Sequence, residues 1–234
     1  MNTIIDTNLP NILNRGKVRD TYSIGDKLLM IATDRISAFD VVLPNGIPGK
    51  GIILSKMSVF WFNKTADIVP NHFISMAEDV KKLEDSANNV TIPNLTRDIA
   101  QRSMIVRKAK RLDVECIVRG YITGSAWTEY AKHGTVGNMS MVNDLKESQR
   151  FPEPLFTPTT KADTGHDENM TFDQMCNLIG TELAQSVKET SIRIYNVASA
   201  YAKTRGIIIA DTKMEFGLID DQLSLIDELL TPDS

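Results

Sequence analysis

Two periodicities divide this chain. Short apolar runs and strict apolar–polar alternation predict strands, whereas apolar residues every three or four positions predict helices. Residues 14–22 and 28–33, on either side of Gly25-Asp26, predict a β-hairpin. Pro44, Gly46, Pro48 and Gly49 then mark a turn-rich loop. Ser55 is placed to cap a helix running to about residue 67, with Met57, Phe60, Trp61 and Lys64 at helical spacing. Residues 104–106 and 114–119 predict two strands around the basic run 107–111, and Gly124-Ser125 opens a helix over 126–132. Residues 151–161, with Pro152, Pro154 and Pro158, predict a rigid extended crossing within a stretch, 134–169, that is mostly loop.

The C-terminal third carries the clearest pattern. Thr171-x-x-Gln174 has the form of a capping box, and Met175, Ile179, Leu183 and Val187 continue it as a helix over 172–189. A second helix over 191–205 follows, with Gly206 as its terminator. Ile207 to Ala210 reads as a buried strand. Beyond it Asp211, Lys213 and Glu215 alternate with Thr212, Met214 and Phe216, which puts three charges on one strand face. Such charges are costly unless they meet partners, metal or ligand. A turn at Gly217 and a return strand through Leu223–Ile226 would bring Asp227 near Glu215, a pair suited to a hard divalent cation. Helices alternating with a largely antiparallel sheet predict an α+β, two-lobed fold. No G-x-G-x-x-G or Walker spacing occurs in the chain.

Composition narrows the setting. The 234 residues are 42% hydrophobic and 24% charged, enough for one domain or two small lobes. A formal charge of -4 argues against nonspecific binding to nucleic acid or anionic membrane. Cys116 and Cys176 lie in apolar patterns without metal-ligand spacing, as buried free thiols of a reducing, cytoplasmic setting. No secretory signal or eighteen-residue apolar run is present in the sequence. Among local clusters, Lys17 and Arg19 after Gly16 suit a phosphate chain, or are surface charges. Arg119 with Gly124-Ser125 at a helix start suits a phosphate monoester, or is a cap and an ion pair. His166-Asp167-Glu168 are too close in sequence to ligate one zinc ion together.

The stretches NRGKVRDTY, TDRISAFDVVLPNGIPGKG, ECIVRGYITGSAW, LFTPTTKADTGHDEN, GIIIADTKMEFGL and LIDELLTPDS together resemble the SAICAR synthetase family, over nearly the whole chain from residue 14. The resemblance implies a mainly antiparallel N-terminal lobe over 1–110 and a larger α/β lobe over 111–234, with ATP in the cleft between them. It implies ATP- and Mg²⁺-dependent joining of L-aspartate to the carboxylate of CAIR, through an acyl phosphate, in purine biosynthesis. Its partners are then small molecules, with no nucleic acid or membrane, and a homo-oligomer is left open.

By the same resemblance, Lys17 and Arg19 lie over the nucleotide phosphates, and Lys108 and Glu115 lie at the adenine and ribose edge. Arg119 and Ser125 hold the imidazole ribonucleotide. Asp211, Lys213 and Glu215 stand beside the reacting carboxylate, with Glu215 and Asp227 on the metal. Lys161 and Asp167 face the cleft, as do Asp34, Ser37, Asp40 and Lys50, and Asp211 is the general-base candidate. Family members continue past T-P-D-S into an arginine-bearing loop. The chain ending at Ser234 therefore raises a second expectation, of a truncated nucleotide-binding remnant with weak CAIR binding. A kinase-type phosphotransferase is disfavoured, since H-R-D and D-F-G signatures are absent from the sequence.

Overall fold

Ile24 faces Lys27 across Gly25 and Asp26, closing the first hairpin where the sequence predicts it, with Gly25 at φ 67°. The computed structural model describes residues 3–38, 41–82, 92, 94–161 and 168–234. The chain forms two compact units, one of Met1–Asn63, Asn71–Ala109 and Thr231–Asp233, the other of Lys64–Pro70, Lys110–Leu230 and Ser234.

Unit 1 holds β1 (Ile12–Arg15), β2 (Arg19–Ile24), β3 (Lys27–Ala32), the two-residue pair β4 (Ser37–Ala38) and β5 (Val41–Val42), α1 (Lys50–Lys64), β6 (Phe73–Met76), α2 (Arg97–Ala100) and β7 (Ser103–Arg107). Its main sheet is antiparallel in the order β1-β2-β3-β7-β6. Tyr22, Leu29, Ile31 and Ile105 form the core on one face. Helix α1 buries Leu54, Ser55, Ser58, Trp61 and Phe62, one stripe at helical spacing. Ser55 is therefore not a cap: it lies inside the helix and donates to the Arg102 carbonyl at 2.8 Å.

Unit 2 holds β8 (Lys110–Tyr121), α3 (Gly124–His133), the short pair β9 (Thr135–Val136) and β10 (Met139–Ser140), β11 (Arg150–Thr160), α4 (Phe172–Ile179), α5 (Thr181–Lys203), β12 (Asp211–Ile219) and β13 (Gln222–Ile226). Its main sheet is antiparallel in the order β11-β8-β12-β13. Helix α5 packs its buried stripe, Val187, Ser191, Ile194, Tyr195 and Ala198, on β8, β11 and β12. Val114, Cys116 and Val118 of β8, with Met214 and Phe216 of β12, form the helix-facing layer. Cys116 is buried as expected, whereas Cys176 is only partly so; both thiols are free.

Several sequence expectations shift here. The proline-rich segment 151–161 is not a mere crossing but lies largely in β11, and its place at the sheet edge explains why three prolines are tolerated. The Thr171 capping box forms with both of its bonds, Gln174 N–H to Thr171 Oγ1 at 3.2 Å and Thr171 N–H to Gln174 Oε1 at 2.7 Å. That helix ends at Ile179, however, because Gly180 at φ 89° breaks it and starts α5. Gly206, at φ 73°, does terminate α5: its N–H bonds the Lys203 carbonyl while the Ile207 N–H bonds that of Ala202. Ile207 to Ala210 is no buried strand. Ile207 and Ile208 are 58% and 69% exposed, and β12 begins only at Asp211. Gly217 stays inside β12, and the turn falls at Asp220 and Asp221, both at positive φ as a two-residue hairpin turn needs.

Candidate active site

The period-two reading of β12 survives in three dimensions. Asp211 lies opposite Arg119, Lys213 opposite Ile117 and Glu215 opposite Glu115. On the other side of β8, Thr157 lies opposite Ile117 and Thr159 opposite Glu115. Opposed residues in antiparallel strands share a face. The face of the unit 2 sheet turned away from α5 therefore collects Glu115, Arg119, Thr157, Asp211, Lys213 and Glu215, joined by Lys161 just past β11.

Two linked clusters form there. In the first, Lys161 Nζ donates to Glu115 Oε1 at 2.6 Å and to Glu215 Oε1 at 2.5 Å, while Lys213 Nζ donates to the same Glu115 oxygen at 2.8 Å. Burial pushes the Glu115 carboxyl up, but its two lysine hydrogen bonds outweigh that and hold it below its ordinary 4.5. Burial alone would lower Lys161, but Glu215 and Glu115 outweigh it and keep the ammonium firmly charged. Glu215 goes the other way. Burial and then the charge of Asp227 raise its carboxyl, against Lys161 and Lys213. Asp227 reaches this place because Ile226 pairs with Glu215, and Asp227 then turns at φ 63°.

The second cluster is built on Arg119, which donates to Thr157 Oγ1 at 3.1 Å, Asp211 Oδ2 at 2.9 Å and Ser125 Oγ at 3.3 Å. Ser125 is exposed in the first turn of α3, whose N-terminal Thr123 makes no side-chain cap. Free N–H groups and a hydroxyl thus stand beside a guanidinium, a setting for an oxyanion. Thr157 was not singled out by sequence reasoning. The alternation Thr157, Thr159, Lys161 would have exposed it had the segment been read as a strand.

Other candidates fall elsewhere. Lys17 is exposed between β1 and β2, in a turn closed by the Gly16 N–H on the Arg19 carbonyl, and Arg19 begins β2 half-buried. A Cβ at Gly16 would come within 2.9 Å of that carbonyl, so the glycine serves the turn itself. Lys108 Nζ holds the hairpin turn through the Gly25 carbonyl at 2.8 Å. Asp34, expected to line a cleft, is fully buried instead. It accepts from Arg102 at 2.5 Å and from the Ile4 and Gly51 N–H groups, each at 2.9 Å, so it is a structural anchor. Lys50 pairs with Asp233 and the Arg35 carbonyl, and Ser37 is exposed in β4. Asp40 and Asp167 lie outside the described residues.

No group of three or more His, Cys, Asp and Glu side chains arranged for a metal occurs among the described residues. The pair Glu215 and Asp227 nonetheless fits Mg²⁺, which takes one or two carboxylates and fills its remaining positions with water and substrate phosphate. Their mutual repulsion, visible in the raised Glu215 carboxyl, is the charge a cation would relieve.

The fold and this face define an α+β enzyme equipped with clustered lysines, arginine and carboxylates for anionic substrates. A sequence profile for SAICAR synthetase matches residues 12–234. The phosphoribosylaminoimidazole-succinocarboxamide synthase of Elusimicrobium minutum is 54% identical, over 97% of this chain and 76% of that protein. That of Thermodesulfovibrio yellowstonii is 52% identical, over 100% of this chain and 78% of its own. The solved SAICAR synthase from Saccharomyces cerevisiae complexed with SAICAR superposes with a TM-score of 0.85 at 46% identity, covering 100% of this chain and 77% of that one. The chain belongs to the SAICAR synthetase family and is a carbon–nitrogen ligase of purine biosynthesis.

Proposed function

We propose that this chain joins L-aspartate to the carboxylate of CAIR with cleavage of ATP, and that the charged sheet face of unit 2 handles the reacting groups. The observation that carries this reading is the cluster in which Lys161 and Lys213 share Glu115 while Glu215 stands against Asp227. The SAICAR held by the yeast relative, at 46% identity, supports the product class.

A carboxylate is a poor electrophile because oxide is a poor leaving group. Transfer of the γ-phosphoryl group to a CAIR carboxylate oxygen, with ADP leaving, makes an acyl phosphate; attack by the aspartate amine then forms the amide and releases phosphate. Glu215 and Asp227 would hold Mg²⁺, which when bound would supply charge neutralisation at the phosphates. Lys213, with a side chain 35% exposed, and Lys161 add fixed positive charge where negative charge develops. Glu115 holds both ammonium groups in place rather than meeting the nucleotide base, because its carboxylate is only 4% exposed and already bonded to both lysines. Arg119 and Ser125 take the ribonucleotide phosphate. Asp211, ion-paired to Arg119 and 40% exposed, orients the aspartate ammonium and is the candidate base. Within unit 1, Lys17 and Arg19 are the candidates for nucleotide phosphates, and Lys108 braces the hairpin that carries Arg19. A cytoplasmic setting suits the free thiols.

ADP release measured with CAIR, L-aspartate, ATP or Mg²⁺ omitted one at a time tests the reading. ADP is expected only when all four are present. Release without aspartate would indicate a phosphotransferase, and no release at all would indicate a nucleotide-binding remnant.

A further inference from the structure

The pairing of β8 with β11 jumps from Arg150 opposite Tyr121 to Leu155 opposite Arg119. Residues 151–154 therefore bulge out against the single residue Gly120. Bulges of this kind bend a strand away from its partner and recur beside functional sites. Here the bulge opens a cavity of about 250 Å³ on the α5 side of the sheet, behind the charged face. Phe151 and Pro154 give it an apolar wall, and Arg150 and Lys203 supply two cations.

We propose that this cavity is a second binding site, for a small organic anion carrying a phosphate or carboxylate group. Three observations support it. Its lining contains two cations and no carboxylate, and neither Arg150 nor Lys203 makes an ion pair among the described residues. Asn196 on α5 adds a further polar group beside them, whereas the Tyr195 hydroxyl donates to the Ile209 carbonyl at 2.7 Å and accepts from Ser199. Finally, the Tyr195 wall of the hollow packs directly on a glycine, since a Cβ at position 120 would lie 1.8 Å from the Tyr195 hydroxyl oxygen. The volume admits a phosphate ester of a small sugar or a short dicarboxylate.

The site would also sit close to the chemistry without being part of it. Gly120 and Tyr121 N–H both donate to the Ala210 carbonyl, and the neighbours of these residues along each strand, Arg119 and Asp211, form the ion pair on the opposite face.

Isothermal titration of the purified chain with inorganic phosphate, ribose 5-phosphate and succinate tests this. Arg150 and Lys203 are both exposed, so Arg150→Ala/Lys203→Ala leaves the fold intact. Saturable binding of at least one probe is expected, weakened on the order of tenfold or more in the double variant, as removal of charge-assisted hydrogen bonds requires. Tightest binding of ribose 5-phosphate would identify a phosphate ester as the ligand type, and tightest binding of succinate a dicarboxylate. Binding that is the same in the double variant, or no saturable binding of any probe, would overturn the proposal and leave the ligase reading untouched.

Discussion

In unit 1, Asp34 is wholly enclosed and accepts from Arg102 and from the N–H groups of Ile4 and Gly51. In unit 2, Glu215 is nearly as buried, at 8% exposure, but shares Lys161 with Glu115 and faces the charge of Asp227. The first carboxylate is surrounded by donors supplied by the fold. The second is crowded by a like charge and held by a lysine that still reaches solvent. A protein keeps the first arrangement for stability. It keeps the second, which favours neither folding nor full ionisation, for what the site must bind.

The sharpest way to break the contrast is at Arg102. Arg102→Ala leaves Asp34 as a buried, unpaired charge and should lower unfolding free energy by about 3–5 kcal/mol, read by chemical denaturation. Lys213→Ala should instead spare the fold and reduce turnover by about 10²–10³-fold, the usual loss of one group that stabilises developing charge. A melting temperature that falls steeply in Lys213→Ala, with turnover per folded molecule unchanged, would erase the distinction between the two clusters.

Acid titration sharpens it further. The Asp34 carboxyl feels burial upward, but Arg102 and the two N–H groups outweigh that and hold it below 3.8. Its contribution is therefore complete above that pH and is lost as pH falls through the lower folded value. Asp34→Asn should remove that part of the acid-unfolding limb, visible as a shallower fall of stability below pH 3.8. The smallest effect is local to one helix end. Thr171→Ala removes half of the capping box and should cost about 1 kcal/mol by the same denaturation assay, with turnover intact.

These two carboxylates also show what the sequence could and could not convey. Features decided within a few residues were legible: the Gly25-Asp26 turn, the Thr171 capping box, the charged face of β12 and the α+β class. Features decided by distant partners were not. The family motif that contains Asp34 places it in the cleft, and its true partner, Arg102, lies 68 positions away. The β11 prolines suggest a loop unless the segment is known to be a sheet edge, and with the strand went the alternation that places Thr157 beside Arg119. Gly180 was absorbed into a continuous helix because the apolar spacing on either side keeps the helical period. The motif match carried Lys161, Lys213 and Glu215 to a common site, but it did not convey that Glu115 joins the two lysines.

On the proposed reading, Glu215 belongs to the chemistry and costs the fold something to keep. Its carboxyl is raised, so the folded state holds that proton to higher pH than the unfolded state, and stability is reduced at neutral pH where the group must ionise. The most direct test is Glu215→Gln at pH 7, with thermal unfolding and CAIR- and aspartate-dependent ADP release measured on the same preparation. Turnover reduced at least about 10²-fold, with a melting temperature equal to or above that of the unaltered chain, is the predicted result. Full turnover in that variant, or a melting temperature below that of the unaltered chain, would contradict it.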